Sequence, residues 1–427
     1  MRSTQGEGLL WPGHSLSLAL RACPSPLQGE GKMINFAALR AANAPLNAFV
    51  DFDEGAALLQ HGSLAGLTVG VKSNIMVKGL PWTGGMELYR DRFAVRDARV
   101  VELLRSNGAA IIGSLNMHEA ALGATTDNAF YGRTHNPHRI GFTPGGSSGG
   151  SGAAVAAGLC DIALGTDTLG SVRIPAAYCG VYGLKPTAGA VSTDGLAFLD
   201  PSLDSIGPLT ASLDTLETAW RAMADWPGEG GNFRYMLLLD DLGGVEVQPA
   251  VASAYQRALH AVPLTGVGFG LPFSTTDIRW AGLAHAGRWL INDLGGEYRP
   301  GNPGLSKDLL YLLGICAKAP ERPDILTRVR TELTAALGTA GVLLLPTTPQ
   351  AAFTHDGHAP ASQADFTGLA NIAGLPAIAI PAGWSDDGLP VSVQLVGPAH
   401  SELRLIALAR IIDKELGAYR RPATFGY

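Results

Sequence analysis

A glycine- and serine-rich turn that opens directly onto small apolar residues is the feature that most restricts this sequence. Residues 145–151 have the sequence GGSSGGS, AAVAA follows at 153–157, and a strand-like stretch begins at Asp161. A flexible linker can have the same composition, but it does not lead straight into a helix-like run and a strand. A phosphate-binding loop needs the Walker lysine or a GxGxxG spacing, and this stretch has neither. The turn is therefore interpreted as a loop whose backbone positions reactive groups.

Segments with the periodicity of helices and of strands alternate along the chain from Ile34 onward. Residues 109–113 (AAIIG) follow a helical run and resemble a buried strand. Two strand-like runs, 377–380 and 391–395, precede an amphipathic helical pattern at 401–416. This alternation predicts an α/β fold with one domain, in which a central mixed and twisted β-sheet is flanked by helices on both faces.

The N-terminal segment differs from the rest of the chain. Residues 1–32 lack the cationic start and long apolar core of a signal peptide, so they are interpreted as a disordered extension. Met33 is then the expected start, because periodic sequence begins there, and residues 33–427 form the domain. Within the domain, residues 228–303 are the least regular and are predicted to form a variable flap on the substrate side.

Composition excludes several classes of partner. The 427 residues include 31 basic and 37 acidic side chains, a net charge of −6, which disfavours a nucleic-acid-binding surface. Four dispersed cysteines show no metal-ligand spacing and favour reduced thiols in the cytoplasm. No apolar run approaches the ~18 residues of a membrane span. We expect a small-molecule substrate, no cofactor, no metal and no membrane contact, and we leave a homodimer open.

A serine nucleophile needs a base within hydrogen-bond reach. The sequence has no GxSxG elbow, and His118, His135 and His138 are interpreted as structural or surface residues. Lys72 is the alternative, since it ends the apolar run LTVGV at 67–71. Burial there would favour the neutral amine, whereas a surface strand end would keep the lysine charged.

Several motifs occur in an order that resembles the amidase signature family of Ser-cisSer-Lys hydrolases. They are GVKSN around Lys72, NMHEAALGATTDNAFYG at 116–132, GGSSGGS at 145–151, GTDTLGSVRIPA at 165–176, CGVYGLKPT at 179–187, NIAGLPAIAIPAG at 371–383 and GLPVSVQLVG at 388–397. The similarity covers residues 46–416 and is weakest between 228 and 349.

The resemblance implies a role for each matching residue. Ser171 would be the nucleophile, Ser147 the bridging serine after a cis peptide bond, and Lys72 the base. An oxyanion hole would be formed by the backbone N–H groups of Thr168, Leu169, Gly170 and Ser171. Supporting roles fall to Ser148, which would hydrogen-bond Lys72, and to Asp167 and Arg173 in the loop.

One position departs from the family pattern, which usually has glycine or alanine where this chain has Leu169. A leucine still offers its N–H, but its side chain needs room, and a positive φ would strain it. It would also narrow the acyl side of the pocket.

The substrate is expected to meet a segment of small residues, namely Ala121, Leu122, Gly123 and Ala124. Trp82, Met86 and the tryptophans of 228–303 are candidate wall residues. No arginine lies in a motif that would bind a substrate carboxylate, so neutral substrates are favoured.

Three functions remain open from the sequence. The first is a hydrolase of amides and anilides, with carbamates (urethanase-like activity) and esters as further substrates, acting through an acyl-enzyme. The alternative is a glutamine amidotransferase A-type subunit that supplies ammonia to a partner, since NMHEAALG at 116–123 resembles that subgroup. However, its arginine-rich segment is not recognisable, and His118 replaces an expected aspartate. A non-catalytic binding subunit is disfavoured, because Lys72, Ser147 and Ser171 are all present.

Overall fold

A mixed sheet of eleven strands runs through the computed structural model, which describes residues 33–423. The strands of the chain are β1 (Phe49–Phe52), β2 (Thr68–Lys72), β3 (Ala110–Leu115), β4 (Asp127–Asn128), β5 (Gly132–Arg133), β6 (Ile162–Asp167), β7 (Tyr182–Lys185), β8 (Ser205–Thr210), β9 (Tyr235–Leu239), β10 (Thr265–Phe269), β11 (Gly341–Pro346), β12 (Ala377–Trp384) and β13 (Pro390–Val396). Strands β4 and β5 form a separate hairpin, and the large sheet has the order β1-β3-β2-β6-β8-β7-β12-β13-β11-β9-β10.

Eleven α-helices of the described residues surround this sheet. They are α1 (Phe36–Asn43), α2 (Arg99–Ser106), α3 (Gly149–Ala156), α4 (Arg173–Cys179), α5 (Leu213–Met223), α6 (Pro249–Ala261), α7 (Thr275–Leu294), α8 (Lys307–Lys318), α9 (Pro323–Leu337), α10 (Gly368–Ala373) and α11 (Glu402–Leu416). None of these helices is both long and apolar enough to cross a bilayer.

Both faces of the sheet are buried, as strand β11 shows. Its Val342 and Leu344 join a core cluster with α2, α5, α6 and α11, whereas Leu343 and Leu345 join a cluster with α7, α8, α9 and α10. Alternate residues of a strand point to opposite faces, so an unbroken apolar run such as GVLLLP requires helices on each side. The predicted α/β fold with a mixed sheet between helical layers is confirmed.

Strands β2 and β6 bring distant parts of the sequence to one edge. They are parallel neighbours, with Val71 paired to Leu164, so their carboxyl ends lie together. Lys72 ends β2 and Asp167 ends β6, while α3 and α4 begin just after the loops that contain Ser147 and Ser171. The sheet thereby gathers the predicted catalytic residues at one place.

Residues 228–303 differ from the predicted flap. They contribute β9 and β10, which form one edge of the large sheet, and α6, which packs against β12 and β13. The apolar run YMLLL at Tyr235–Leu239 explains this placement, because three of its five side chains are buried. The segment is therefore built into the sheet, and α7 alone reaches the cavity described below. The predicted extension at 1–32 lies outside the described residues.

Gly150 shows how closely α3 packs on the neighbouring backbone. A Cβ atom at this position would lie 2.4 Å from the Asn116 carbonyl oxygen and 2.6 Å from that of Ala48. Main-chain atoms on both sides leave no flexible group to yield, so helix α3 depends on glycine here.

We predict that Gly150→Ala lowers the free energy of unfolding by about 1–3 kcal/mol, the usual cost of overpacking. Gly314→Ala is the matched control, because Gly314 is also helical and its Cβ would meet no atom closer than 4.0 Å. The control should be neutral or stabilising, as alanine is the better helix former. Urea unfolding of the three proteins measures both effects, and equal stability of Gly150→Ala and wild type would contradict the prediction.

Candidate active site

Lys72 lies fully buried at the end of β2 and contacts two hydroxyl groups. Its Nζ atom is 2.7 Å from Ser147 Oγ and 2.6 Å from Thr166 Oγ1. The prediction placed Lys72 beside Ser147, and the structure brings the two together. Thr166 was not singled out from the sequence.

The environment of Lys72 favours the uncharged amine. Burial lowers its pKa from 10.5 to about 7, against the negative charges of Asp204 and Asp167, which raise it. A lysine with this pKa is substantially neutral near pH 7 and can accept a proton there.

The loop around Ser147 is held by main-chain contacts. The Gly146–Ser147 peptide bond is cis. Thr126 Oγ1 donates to the Gly145 carbonyl at 2.8 Å and accepts the Gly149 N–H at 3.0 Å. The Ser148 N–H donates to the Ser171 carbonyl at 3.2 Å, which joins the two serine loops.

Ser148 does not hydrogen-bond Lys72 as predicted. Its hydroxyl donates to the Thr166 carbonyl at 3.1 Å and accepts the Thr166 N–H at 3.2 Å. This side chain therefore fastens the start of α3 to β6, and the Thr166 hydroxyl occupies the position beside Lys72 instead.

A buried ion pair supports the loop that contains Ser171. Arg173 Nη2 lies 3.0 Å from Asp167 Oδ1, and neither side chain is exposed. Burial opposes ionisation of Asp167, but the positive charge and hydrogen bonds of Arg173 outweigh it, and the pKa of the carboxyl is lowered. Arg173 also donates to Gln394 of β13 and Asn371 of α10. These contacts connect the Ser171 loop to β13 and α10.

The four N–H groups proposed for an oxyanion hole are not equivalent. The Gly170 N–H already donates to Asp167 Oδ1 at 2.7 Å, so it is not free for a substrate oxygen. Within residues 33–423, no hydrogen bond engages the N–H groups of Thr168, Leu169 or Ser171. The Thr168 hydroxyl donates to Asp204, which fixes its side chain. Three donors remain where four were predicted.

Leu169 is accommodated without backbone strain. Among the described residues it is absent from those with positive φ, whereas Gly170 next to it has φ 135°. The Leu169 carbonyl accepts a hydrogen bond from Thr367 Oγ1 at 2.6 Å. This departure from the family pattern therefore matters only for the space around the leucine side chain.

A cavity of about 150 Å³ opens beside Ser171 and is mostly apolar. It is lined by Ala121, Leu122, Gly123, Ala124, Thr168, Leu169, Ser171, Ile174, Leu199, Arg279, Leu283, Ala286, Leu312, Ala361, Gln363 and Ala364. All four residues predicted to meet the substrate are on its wall. Trp82, Met86 and Trp289 instead line a neighbouring cavity of about 190 Å³.

Arg279 is the one ionised side chain among the described residues lining the cavity beside Ser171. Its guanidinium forms an ion pair with Asp365, and the two side chains are 8% and 3% exposed. Asp365 also accepts a hydrogen bond from Thr276 at 3.0 Å. Because this arginine is already neutralised, the cavity presents no free charge to a ligand.

The three histidines considered from the sequence, His118, His135 and His138, contact groups other than Ser171. Burial lowers the pKa of His118 to about 4, and its ring contacts Thr125 at 3.3 Å. His135 accepts the Gly141 N–H at 3.3 Å, and His138 contacts the Cys179 carbonyl at 3.0 Å. No hydrogen bond in the described part of the chain joins any of them to Ser171.

Sequence reasoning missed Thr166 and Asp204. Thr166 carries a signal that could have been used, since it is a hydroxyl in a buried strand two residues from the expected oxyanion loop. Asp204 carries no such signal in the sequence, because its contact with Thr168 joins residues 36 positions apart. Burial raises the pKa of Asp204 to about 6.

Comparison with known proteins identifies the family of the chain. The family model described as Amidase matches residues 32–235 and 319–406. The chain belongs to this family, the amidase signature enzymes, which cleave amide C–N bonds. The residues between the two matched parts include all of α7 and α8.

Curated relatives and solved structures extend the similarity. The A subunit of glutamyl-tRNA(Gln) amidotransferase from Synechococcus sp. (strain RCC307) is 32% identical over 83% of this chain and 84% of its own. A solved amidase structure is 28% identical, with a TM-score of 0.80 over 94% of this chain and 98% of its own. The A subunit of the same amidotransferase from Thermotoga maritima is 27% identical, with a TM-score of 0.78 over 90% of this chain and 92% of its own.

We predict that Lys72 titrates near pH 7 and that Asp204→Asn lowers its pKa further, because Asp204 stabilises the ammonium form. NMR of the full chain with ¹³Cε-labelled lysine measures this, and loss of one signal in Lys72→Arg assigns it. Lys185 is an internal control, since its pKa is also about 7 but Asp204 does not contribute to it. A Lys72 signal that titrates near 10, or one unmoved by Asp204→Asn, would contradict the prediction.

Proposed function

We propose that this chain hydrolyses the C–N bond of neutral amides and anilides through an acyl-enzyme on Ser171. The single observation that supports this most is the buried Lys72 amine, 2.7 Å from Ser147 Oγ, in a loop bonded to the Ser171 loop. A base, a bridging hydroxyl and a nucleophile on a cavity wall are the parts that acyl transfer needs.

The residues have the following roles in the proposal. Neutral Lys72 takes the proton of Ser147, and Ser147 takes that of Ser171, whose Oγ attacks the substrate carbonyl carbon. The oxyanion accepts hydrogen bonds from the N–H groups of Thr168, Leu169 and Ser171. Ser147 then returns the proton to the leaving amine as the C–N bond breaks.

Water completes the cycle. It attacks the acyl carbon while its proton passes to Ser147 and on to Lys72, the ester bond to Ser171 Oγ breaks, and Ser171 regains a proton through the same relay as the carboxylic acid leaves. The Thr166 hydroxyl accepts a hydrogen bond from Lys72, which fixes the rotation of the amine toward Ser147. Asp167 and Arg173 hold the loop that contains Ser171, and they influence the reaction only by fixing the conformation of that loop.

The cavity favours uncharged acyl groups. Its walls are chiefly leucine, isoleucine and alanine, and the Arg279 guanidinium is engaged by Asp365. A free amino acid would bring an ammonium and a carboxylate into a site without spare counter-charges, at a desolvation cost. Carbamates and esters offer the same kind of carbonyl and belong to the proposed range.

A second candidate is favoured by the curated relatives. Several of them are A subunits of glutamyl-tRNA(Gln) amidotransferases at 32–34% identity, which points to glutamine as substrate and to ammonia transfer with a partner. The same serines and lysine would then form a glutamyl-enzyme. The names of the relatives support this second function better than the first, and the cavity lining supports the first better than the second.

One panel separates the two functions. The purified chain is given acyl p-nitroanilides, aliphatic amides, aryl carbamates and glutamine, and release of amine or ammonia is measured with Ser171→Ala as control. We expect anilide turnover by the chain alone, no glutaminase activity, and at least about a hundredfold loss in Ser171→Ala. Ammonia release from glutamine without anilide turnover would establish the second function in place of the first.

The pH dependence of kcat/KM tests the proposed base. Since only neutral Lys72 can accept a proton, activity should be low in acid and rise through about pH 7 to an alkaline plateau. Lys72→Ala should lose about 10²–10⁴-fold, and Lys72→Arg should be no better, because arginine stays protonated. Circular dichroism confirms folding of each variant. A folded Lys72→Arg with near wild-type activity would rule out the lysine as base.

A further inference from the structure

Leu169 forms one wall of the cavity beside Ser171, and its side chain packs against two glycines of neighbouring helices. A Cβ atom on Gly282 of α7 would lie 2.9 Å from Leu169 Cδ2, and one on Gly368 of α10 would lie 3.6 Å from the same atom. The leucine therefore fits its position only because a helix that packs across the oxyanion loop has no side chain at Gly282.

Gly282 faces a second side chain besides Leu169. Ile372 Cδ1 lies 3.4 Å from the same Gly282 Cβ position, and Ile372 is not part of the cavity wall. A side chain added at Gly282 would press on Leu169 first, and Leu169 is the one of the two contacts that lines the cavity beside Ser171. Leu169 and Gly282 are thus in close contact, and a shift of the Leu169 side chain changes the shape of the cavity.

The size of the cavity suggests the group it receives. The cavity holds about 150 Å³ between walls that are chiefly leucine and alanine, the volume of an enclosed engineered cavity that binds benzene, and it opens to solvent on one side. The N–H of Leu169 is one of the three free donors, so its side chain lies next to the carbonyl being attacked. A parallel series of amines, described below, tests whether the acyl half of the substrate meets this wall.

We propose that Leu169, seated against Gly282, limits the acyl group to a compact apolar substituent of about the size of a benzene ring or a six-carbon chain. This rests on the proposed amide hydrolysis and names the substrate class of that site. This limit on acyl size comes from the contact between the oxyanion loop and α7. It therefore requires a bulky residue at position 169 together with glycine at position 282.

The test measures kcat/KM for straight-chain acyl p-nitroanilides from acetyl to decanoyl. Wild type should peak near hexanoyl. Leu169→Ala should move the peak to octanoyl or decanoyl and raise the decanoyl-to-acetyl ratio at least tenfold, since each methylene newly accommodated contributes roughly fourfold, from about 0.8 kcal/mol. Gly282→Ala should move the peak toward butyryl.

The double variant and two controls make the assignment specific. In the Leu169→Ala background, Gly282→Ala should have little effect, because the Cδ atoms it would displace are gone. Gly314→Ala should leave the profile unchanged, as its Cβ would meet no atom closer than 4.0 Å. A second series with a constant acetyl group and amines of increasing size should not respond to either substitution.

The outcomes distinguish the two levels of the proposal. Hydrolysis with a peak that neither variant shifts, or a response confined to the amine series, would overturn the role of Leu169 and leave amide hydrolysis standing. A folded wild type that cleaves no acyl anilide would overturn the proposed function and the acyl limit together. Since Leu169→Ala and Gly282→Ala shift the peak in opposite directions, either one alone suffices if the other does not fold.

Discussion

The buried pair of Asp167 and Arg173 is the interaction on which the arrangement of the site depends. Two charges without solvent contact are tolerated only when every hydrogen-bonding group around them is engaged. The carboxylate binds the N–H groups of Gly170 and Val172, and the guanidinium reaches Gln394 and Asn371. One ion pair therefore fixes the serine loop to a strand and a helix more than 190 residues further along the chain.

The Asp167 carboxylate also influences the pKa of two buried lysines, and these lysines contact different groups. Lys72 and Lys185 both have a pKa lowered to about 7 by burial, and Asp167 opposes the shift in each. Lys185 donates to the Pro186 carbonyl at 2.6 Å, whereas Lys72 faces the hydroxyl of Ser147. A perturbed lysine alone is therefore no evidence of catalysis, and the neighbouring serine makes the difference.

Sequence analysis could locate the site residues that lie at or just after the ends of apolar strands. The family resemblance placed Lys72 with Ser147. Lys72 could also be located at the end of an apolar strand, and the structure shows that the parallel strands β2 and β6 end together, at Lys72 and just before the Ser171 loop. Ser148 and Thr166 could not be ranked as partners of Lys72, because that choice depends on side-chain orientation. Strand β10 escaped notice because TGVGF is short, broken by glycine and mostly exposed at the sheet edge. The Arg279–Asp365 contact spans 86 residues and has no local signature.

One side of the cavity comes from outside the parts of the chain that contain the reacting groups, whereas Leu169 and residues 121–124 of the wall lie inside them. Lys72, Ser147 and Ser171 lie in the region that matches the family model, while Arg279, Gly282, Leu283 and Leu312 lie between its two matched parts, 32–235 and 319–406. Substitutions in α7 and α8 can therefore reshape that side of the cavity without altering Lys72, Ser147 or Ser171. Likeness in the matched parts alone therefore leaves one side of the cavity undefined, namely the side built by α7 and α8.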